Sequence, residues 1–317
     1  MMPVLILWIL LFVLAIAFLV KGADWFTAAS ERLATRFGIS SFVIGVTVVS
    51  IGTSLPELAS SIFAVLKGEP GIVAGNVIGS NIANILLVLG LGAILAGELT
   101  TKRDMARVDI PILFGGTFLL VLMAMNGSIN LIEALILLFG YGVYLHYLFK
   151  SKERVDKGVT KAMKEQVKEK FFMRVVLPLI AGGVLIYFGA DWTVKSVINI
   201  AALTGITSGV IATTAVALGT SLPELFVTVM AGIRGKHEIA IGNIVGSNIF
   251  NVYCVMGFAA LFGAIPVTGT LLTFALPALV MATFMFYLVI RDNSISKWEG
   301  WSLFLLYVFF LVRMFLA

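Results

Sequence analysis

Two acids carry the chemistry of this sequence. Glu57 closes the hexapeptide GTSLPE at residues 52–57, Glu224 closes an identical one at 219–224, and each lies inside a long apolar run. An unpaired acid in a membrane interior costs about 2.5–3.5 kcal/mol on insertion scales, so each requires a partner. The second, third, seventh and eighth apolar runs hold no Lys or Arg in their interiors. Mobile cations are the natural partners.

The neighbouring residues suit cations. Proline within a helix lacks an N–H and clashes with the carbonyl four residues back, so Pro56 and Pro223 loosen the carbonyls around Gly52 and Gly219. Hard cations such as Ca²⁺ take oxygens from carboxylates, carbonyls, amides and water; Thr53, Ser54, Thr220 and Ser221 add hydroxyls. Helical spacing puts Thr53 with Glu57, and Thr220 with Glu224, on one face. In the following runs Asn76, Ser80 and Asn84 recur every fourth residue, as do Asn243, Ser247 and Asn251. Two carboxylates balance one divalent ion or two monovalent ones.

The surrounding chain supplies the medium. Of 317 residues, 60% are hydrophobic and 12% charged, against roughly 45–50% apolar in soluble domains. Apolar runs of bilayer-spanning length cover about 3–28, 41–66, 71–96, 108–125, 129–149, 172–200, 206–233, 238–264, 267–290 and 298–316. Continuous runs exclude a β-barrel, which would alternate. The expectation is an all-α integral membrane protein with ten transmembrane helices. The lone Cys254 excludes an internal disulfide, and His146 and His237 have no partner at zinc-ligand spacing. The pI of about 9.3 reflects topology rather than nucleic-acid binding. Loops after odd-numbered runs carry Arg32, Arg36, Lys102, Arg103, Arg107, the cluster from Lys150 to Arg174, Arg234, Lys236, Arg291 and Lys297, whereas even-numbered loops and the C-terminus hold Lys67, Lys195 and Arg313. Positive-inside bias predicts a multi-pass cell-membrane protein with a cytoplasmic 150–171 segment and both termini extracellular. The first run lacks a basic n-region, and its GADW returns later, so it reads as retained rather than as a cleaved signal.

An internal repeat organises the whole. GADW starts at 22 and 189, GTSLPE at 52 and 219, both offset by 167 residues, and GNVIGSNIAN (75–84) matches GNIVGSNIFN (242–251) in the same register. Each half holds five runs, an odd number, so the second copy enters the membrane from the opposite side. The predicted organisation is a five-helix repeat over 1–149, a basic cytoplasmic linker over 150–171, and an inverted five-helix repeat over 172–317. Inverted repeats are a secondary-transporter architecture with ions bound near the midplane.

Plainer roles are assigned to other residues. The GxxxG pairs at 75–79 and 242–246 read as helix packing, and Thr47, Ser60 and Ser61 as back-bonding to carbonyls. Asp24 and Asp191, each beside a Trp near a run end, read as structural or access-path residues. A buried carboxyl can also carry a proton, which keeps H⁺/Ca²⁺ exchange open, and an acid-lined cation channel is a further alternative. Hydrolysis is disfavoured, because no His or Lys base lies near the Ser–Glu pairs in sequence.

GTSLPE together with GNxxGSNIxN, each present twice, resembles the calcium/cation antiporter superfamily, specifically prokaryotic members of the sodium/calcium exchanger branch, across nearly the whole chain. The resemblance implies a non-enzymatic Na⁺/Ca²⁺ antiporter working by alternating access, without a cofactor and as a monomer in the lipid bilayer, the first and sixth helices sliding against the rest. It implies Glu57 and Glu224 as shared carboxylates, with Thr53, Ser54, Thr220, Ser221, Ser80 and Ser247 as ligands. It adds carbonyls near Ser50 and Ala217, and Asn84 and Asn251 lining the centre. Exchangers of this branch often carry Asp at the position of Asn251, as do potassium-dependent relatives, so this chain's centre has one titratable group fewer. The proton/calcium branch shows GNxxE rather than GTSLPE, which favours Na⁺ coupling.

Overall fold

A chain surrounded by lipid must satisfy its backbone polar groups internally, and helices do so within one segment. The computed structural model describes residues 2–150, 171–203 and 219–316, and its long elements are helices. In chain order they are α1 (Met2–Phe37), α2 (Ser41–Leu66), α3 (Gly71–Ala96), α4 (Asp109–Ala124), α5 (Leu131–Lys150), α6 (172–203), α7 (Leu222–Ile233), α8 (His237–Ala260), α9 (Leu271–Ile290) and α10 (Lys297–Leu316). Among the described residues seven helices (α1, α2, α3, α5, α6, α8 and α9) are long and apolar enough to cross a membrane; α4 and α7 are shorter apolar helices. Ser40 caps α2 by accepting from the Val43 N–H at 3.2 Å. Asn130 and Glu133 cap α5 reciprocally, Oδ1 accepting from the Glu133 N–H at 3.1 Å and Glu133 Oε2 from the Asn130 N–H at 2.8 Å. Gly97, with φ of +84°, turns the chain out of α3.

Short strands tie distant segments together. β1 (Glu98–Thr100) pairs antiparallel with β4 (Ser294–Ser296), and β2 (Ser128–Ile129) with β3 (Ile265–Pro266). The pairings follow the repeat, since 265 minus 98 and 295 minus 128 are both 167.

Two helix contacts set the architecture. α1 and α6 pack closely through small residues: a Cβ on Gly22 would lie 2.8 Å from the Gly182 carbonyl oxygen, and one on Gly189 would lie 2.9 Å from that of Ala15. α8 is wholly enclosed and presses on α2, where a Cβ on Gly242 would come within 2.6 Å of the Phe42 carbonyl. The 242–246 glycines therefore act in packing. The outer faces of α1 and α6 expose Leu7, Leu10, Ile180 and Tyr187, as a lipid-facing surface requires.

Several boundaries differ from those drawn on hydropathy. α1 runs to Phe37 rather than ending near 28, so Arg32 and Arg36 lie on a helix and not in a loop, and Asp24 is more than three turns from the helix end. Helical hydrogen bonding continues past the apolar stretch because charged side chains on the extension find partners, Arg32 donating to the Arg174 carbonyl at 2.9 Å. α8 ends at Ala260, where a turn replaces the last part of the expected span to 264, and α9 begins at Leu271 rather than at 267. Residues 151–170 of the expected linker, and 206–218 of the seventh run, lie outside the described residues.

One charge cluster went unrecognised in the sequence. Arg103 Nε donates to Asp109 Oδ2 at 2.5 Å, Tyr144 donates to Asp109 Oδ1 at 2.8 Å, and Arg103 lies over the Phe42 ring at 4.7 Å. Arg103 and Asp109 are both buried. Breaking a buried pair leaves one charge uncompensated, which costs about 3–5 kcal/mol, whereas replacing both partners by apolar groups is far milder. Arg103→Met is therefore expected to lower the thermal denaturation midpoint in detergent markedly, and Arg103→Met with Asp109→Leu to recover most of the loss.

Candidate functional site

The two GTSLPE copies lie on α2 and at the start of α7, and their local conformations differ. α2 is helical straight through Pro56, so the Gly52 carbonyl has lost its usual donor. In the second copy the chain turns at Ser221 (φ −88°, ψ 2°) and α7 begins at Leu222, with Pro223 in its first turn, where a missing N–H costs nothing. The glycines make room as well. Phe26 of α1 sits against Gly52, where a Cβ would lie 2.9 Å from its ring, and Val194 of α6 sits against Gly219.

Glu57 and Glu224 are both fully enclosed, and Glu224 reaches α2 at Ser54, one turn before Glu57. Glu224 Oε1 accepts from Ser54 Oγ at 2.7 Å and from Ser247 Oγ at 3.5 Å; its Oε2 has no hydrogen-bond partner among the described residues. Glu57 has none there on either oxygen. Among the described residues no ion pair reaches either acid, and the sequence of 204–218 contains no Lys, Arg or His.

Hydroxyls and amides from both repeats surround this pair. Thr53 Oγ1 donates to Asn243 Oδ1 at 3.2 Å and to the Ser50 carbonyl at 3.2 Å, while Asn243 Nδ2 donates to Thr228 Oγ1 at 3.0 Å. Asn76 Nδ2 donates to Ser61 Oγ at 3.1 Å, the counterpart of the Asn243–Thr228 bond under the 167-residue offset. Ser80 and Thr220 share a hydrogen bond of 3.4 Å. Thus Glu57, Glu224, Thr53, Ser54, Thr220, Ser80, Ser247 and the Ser50 carbonyl belong to one set of contacting elements. Ser221 Oγ is buried without a partner among the described residues. Ala217 lies outside the described residues.

Asn84 and Asn251 each sit at the second residue of a π-helical turn, Ala83–Val88 in α3 and Phe250–Val255 in α8. π-turns interrupt regular helices and concentrate at functional positions. Two further residues, in the regular helix just ahead of these turns, lie off the fourfold stripe. Asn251 Nδ2 donates to Asn81 Oδ1 at 3.1 Å, and Asn81 Nδ2 donates to the Asn248 carbonyl at 3.1 Å. Asn81 and Asn248 stand in the repeated GSN triplet, which was the available signal. Both side-chain atoms of Asn84, with Asn248 Oδ1 and Asn251 Oδ1, are buried without partners among the described residues.

Buried oxygens left bare cost energy, and a concentration of them around two carboxylates is a ready donor set for a hard cation. Among the described residues no group of three or more His, Cys, Asp or Glu could hold a metal. The donor set is instead two carboxylates supplemented by neutral oxygens, a combination suited to weak, reversible occupancy.

Comparisons with known proteins cover nearly the whole chain. The family model described as sodium/calcium exchanger protein matches residues 7–150 and 175–316. The sodium/calcium exchanger MaX1 of Methanosarcina acetivorans is 36% identical over 96% of this chain and 98% of its own length. An uncharacterized membrane protein of Methanocaldococcus jannaschii is 34% identical over 94% of each. A solved structure of the sodium-calcium exchanger NCX_Mj, soaked with Na⁺ and Ca²⁺, superimposes with a TM-score of 0.81 at 32% identity, covering 96% of this chain and 97% of that one.

The unequal bonding of the two serines yields a test. A hydrogen bond to a charged group is worth about 1.5–3 kcal/mol, so Ser54→Ala, which removes the donor to Glu224, is expected to lower the thermal denaturation midpoint. Ser221→Ala removes a hydroxyl without a partner among the described residues and is expected to change it far less. Differential scanning fluorimetry of the two variants in ion-depleted detergent checks the order.

Proposed function

The chain belongs to the sodium/calcium exchanger protein family, and on that premise we propose that it is a multi-pass membrane antiporter exchanging Na⁺ for Ca²⁺ by alternating access. The observation that carries this proposal is that buried Glu224 reaches across to Ser54 in the other copy of the repeated motif, one turn from the equally buried Glu57, and that neither acid has a basic partner among the described residues. Two carboxylates attract either one Ca²⁺ or two Na⁺. Both ions draw on the same oxygens, so one displaces the other, and this competition couples their movements.

The proposed ligands are the two glutamates with Thr53, Ser54, Thr220, Ser221, Ser80 and Ser247, the carbonyls at Ser50 and Ala217, and Asn84 and Asn251. Asn81 holds Asn251 in place. Both halves of the site come from one chain, so the protein functions as a monomer. Ten spanning helices form two inverted five-helix halves, 1–149 and 172–317, joined by a cytoplasmic linker over 150–171. The strand pairings support this arrangement. With both termini outside, β1 and β4 fall on the cytoplasmic side and β2 and β3 on the outer side, as their hydrogen bonding requires.

The moving part is the α1–α6 pair. Its internal contact runs through Gly22, Gly182 and Gly189, and its side chains Phe26 and Val194 rest on the motif glycines Gly52 and Gly219. A shift of this pair along the remaining helices uncovers the acids from one side or the other. Family resemblance, rather than any observed second conformation, supports the direction of that motion.

Ca²⁺ uptake into proteoliposomes under an imposed Na⁺ gradient tests the proposal. Replacing one carboxylate removes a buried charged contact to the bound cation, at a cost of at least about 2 kcal/mol, so Glu57→Gln and Glu224→Gln are each expected to reduce coupled uptake by about thirtyfold or more. Normal uptake by either variant would remove the site assignment. Uptake driven by a pH gradient in sodium-free buffer would replace Na⁺ coupling with H⁺ coupling, and single-channel currents would replace exchange with conduction.

A further inference from the structure

The repeat offset also relates charges outside the cation site. Asp24 of α1 pairs with Arg234, and Glu31 of α1 with Lys236, both in the turn between α7 and α8. With an offset of 167 residues, Asp24 corresponds to Asp191 of α6 and Arg234 to Lys67 at the end of α2. This counterpart pair is not made. Asp191 is held instead by Lys195, four residues on, at 2.7 Å, and Lys67 is exposed with no ion pair among the described residues. The residue corresponding to Lys195 in the first repeat is Ala28, so no neighbour on α1 competes for Asp24 in the same way.

We infer that Asp24–Arg234 and Asp191–Lys67 are alternating latches, the first holding the conformation seen here and the second forming at the opposite face when the α1–α6 pair has shifted. The close glycine contact between α1 and α6 makes them move together. A displacement that draws Asp24 away from Arg234 therefore brings Asp191 toward Lys67. Lys195 is the interim partner that Asp191 gives up; both members of that pair are substantially exposed, at 59% and 34%, and exchange partners at little cost.

The latches are unequal. The counterparts of Lys236 and Glu31 are Glu69 and Ile198, which cannot form an ion pair. Three pairs, Asp24–Arg234, Glu31–Lys236 and Asp191–Lys195, thus favour the conformation described here, against one for the other. Exposed ion pairs each shift an equilibrium by about two- to fivefold, so the bias is modest and readily overcome by ion binding.

This inference rests on the inverted-repeat exchange proposed above, and its test is read without transport. Leu66 on α2 and Val197 on α6 are exposed; Leu66 directly precedes Lys67, and Val197 lies six residues beyond Asp191 on the same helix. Spin labels on Leu66→Cys and Val197→Cys, in full-length protein carrying Cys254→Ser and reconstituted in lipid nanodiscs, report the separation at that face by electron–electron double resonance. Asp24→Asn and, separately, Lys195→Ala are each expected to raise the short-distance population about two- to fivefold, and adding Lys67→Gln is expected to reverse the rise. Distance distributions that neither Asp24→Asn nor Lys195→Ala moves would overturn the latch. If Asp24→Asn fails to fold, Arg234→Gln removes the same pair from its other partner and faces the same criterion. Ca²⁺ uptake by the labelled parent protein is assayed separately: its absence would remove the exchange proposal, while the distance response would still decide the coupling of the two faces.

Discussion

Two acidic side chains enclosed in an apolar slab, with no fixed positive charge paired to them among the described residues, are the constraint on which the rest of the structure depends. Glu57 and Glu224 repel one another and have lost most of their hydration, a condition a folded protein tolerates only when something else supplies compensation. Ser54 and Ser247 provide part of it for Glu224. For Glu57 the described residues provide nothing. In the proposed exchange a mobile cation would supply that compensation, and no fixed cation among the described residues competes with it.

The surrounding architecture follows from the need to hold such a site. α2 and α8 approach closely enough, at Gly242 and Gly45, to bring a carboxylate helix against an amide helix. Two π-turns place Asn84 and Asn251 where a regular helix would have turned them elsewhere. The repeated sequence then yields unequal halves: Ser54 bonds to Glu224, but its counterpart Ser221 does not bond to Glu57, and Asn251 bonds to Asn81, but Asn84 does not bond to Asn248. Two near-identical sequences in different bonding states are what a protein that interchanges the roles of its halves must show in either single conformation.

Much of this was legible before any coordinates. The duplicated GTSLPE located both acids, the 167-residue offset anticipated which segments would meet, and hydropathy located most of the helices. What escaped had physical causes. The end of α1 was misplaced because a helix can continue into water on the strength of charged side chains, and hydropathy registers only where the lipid stops. Asn81 and Asn248 escape the fourfold pattern because each lies one residue past the stripe, about 100° round the helix from Ser80 and Ser247. The partner of Asp24 was not evident because Arg234 is distant in sequence, and Arg103 was counted as a loop charge although it folds back into the protein interior.

Arg103 also clarifies what distinguishes a functional buried acid from a structural one. Asp109 is as enclosed as Glu57, yet it holds a guanidinium at 2.5 Å and a tyrosine hydroxyl at 2.8 Å. Its charge is neutralised by a covalently tethered partner and cannot attract a mobile ion. The segment has no equivalent in the second repeat, where Thr270 and Leu276 occupy the corresponding positions, so the pair plays no part in any exchange of roles between halves. Burial alone therefore does not identify the site. An enclosed carboxylate becomes a candidate carrier of ions when its counterpart recurs in the other repeat and its fixed countercharge is missing, and among the described residues Glu57 and Glu224 meet both conditions while Asp109 meets neither.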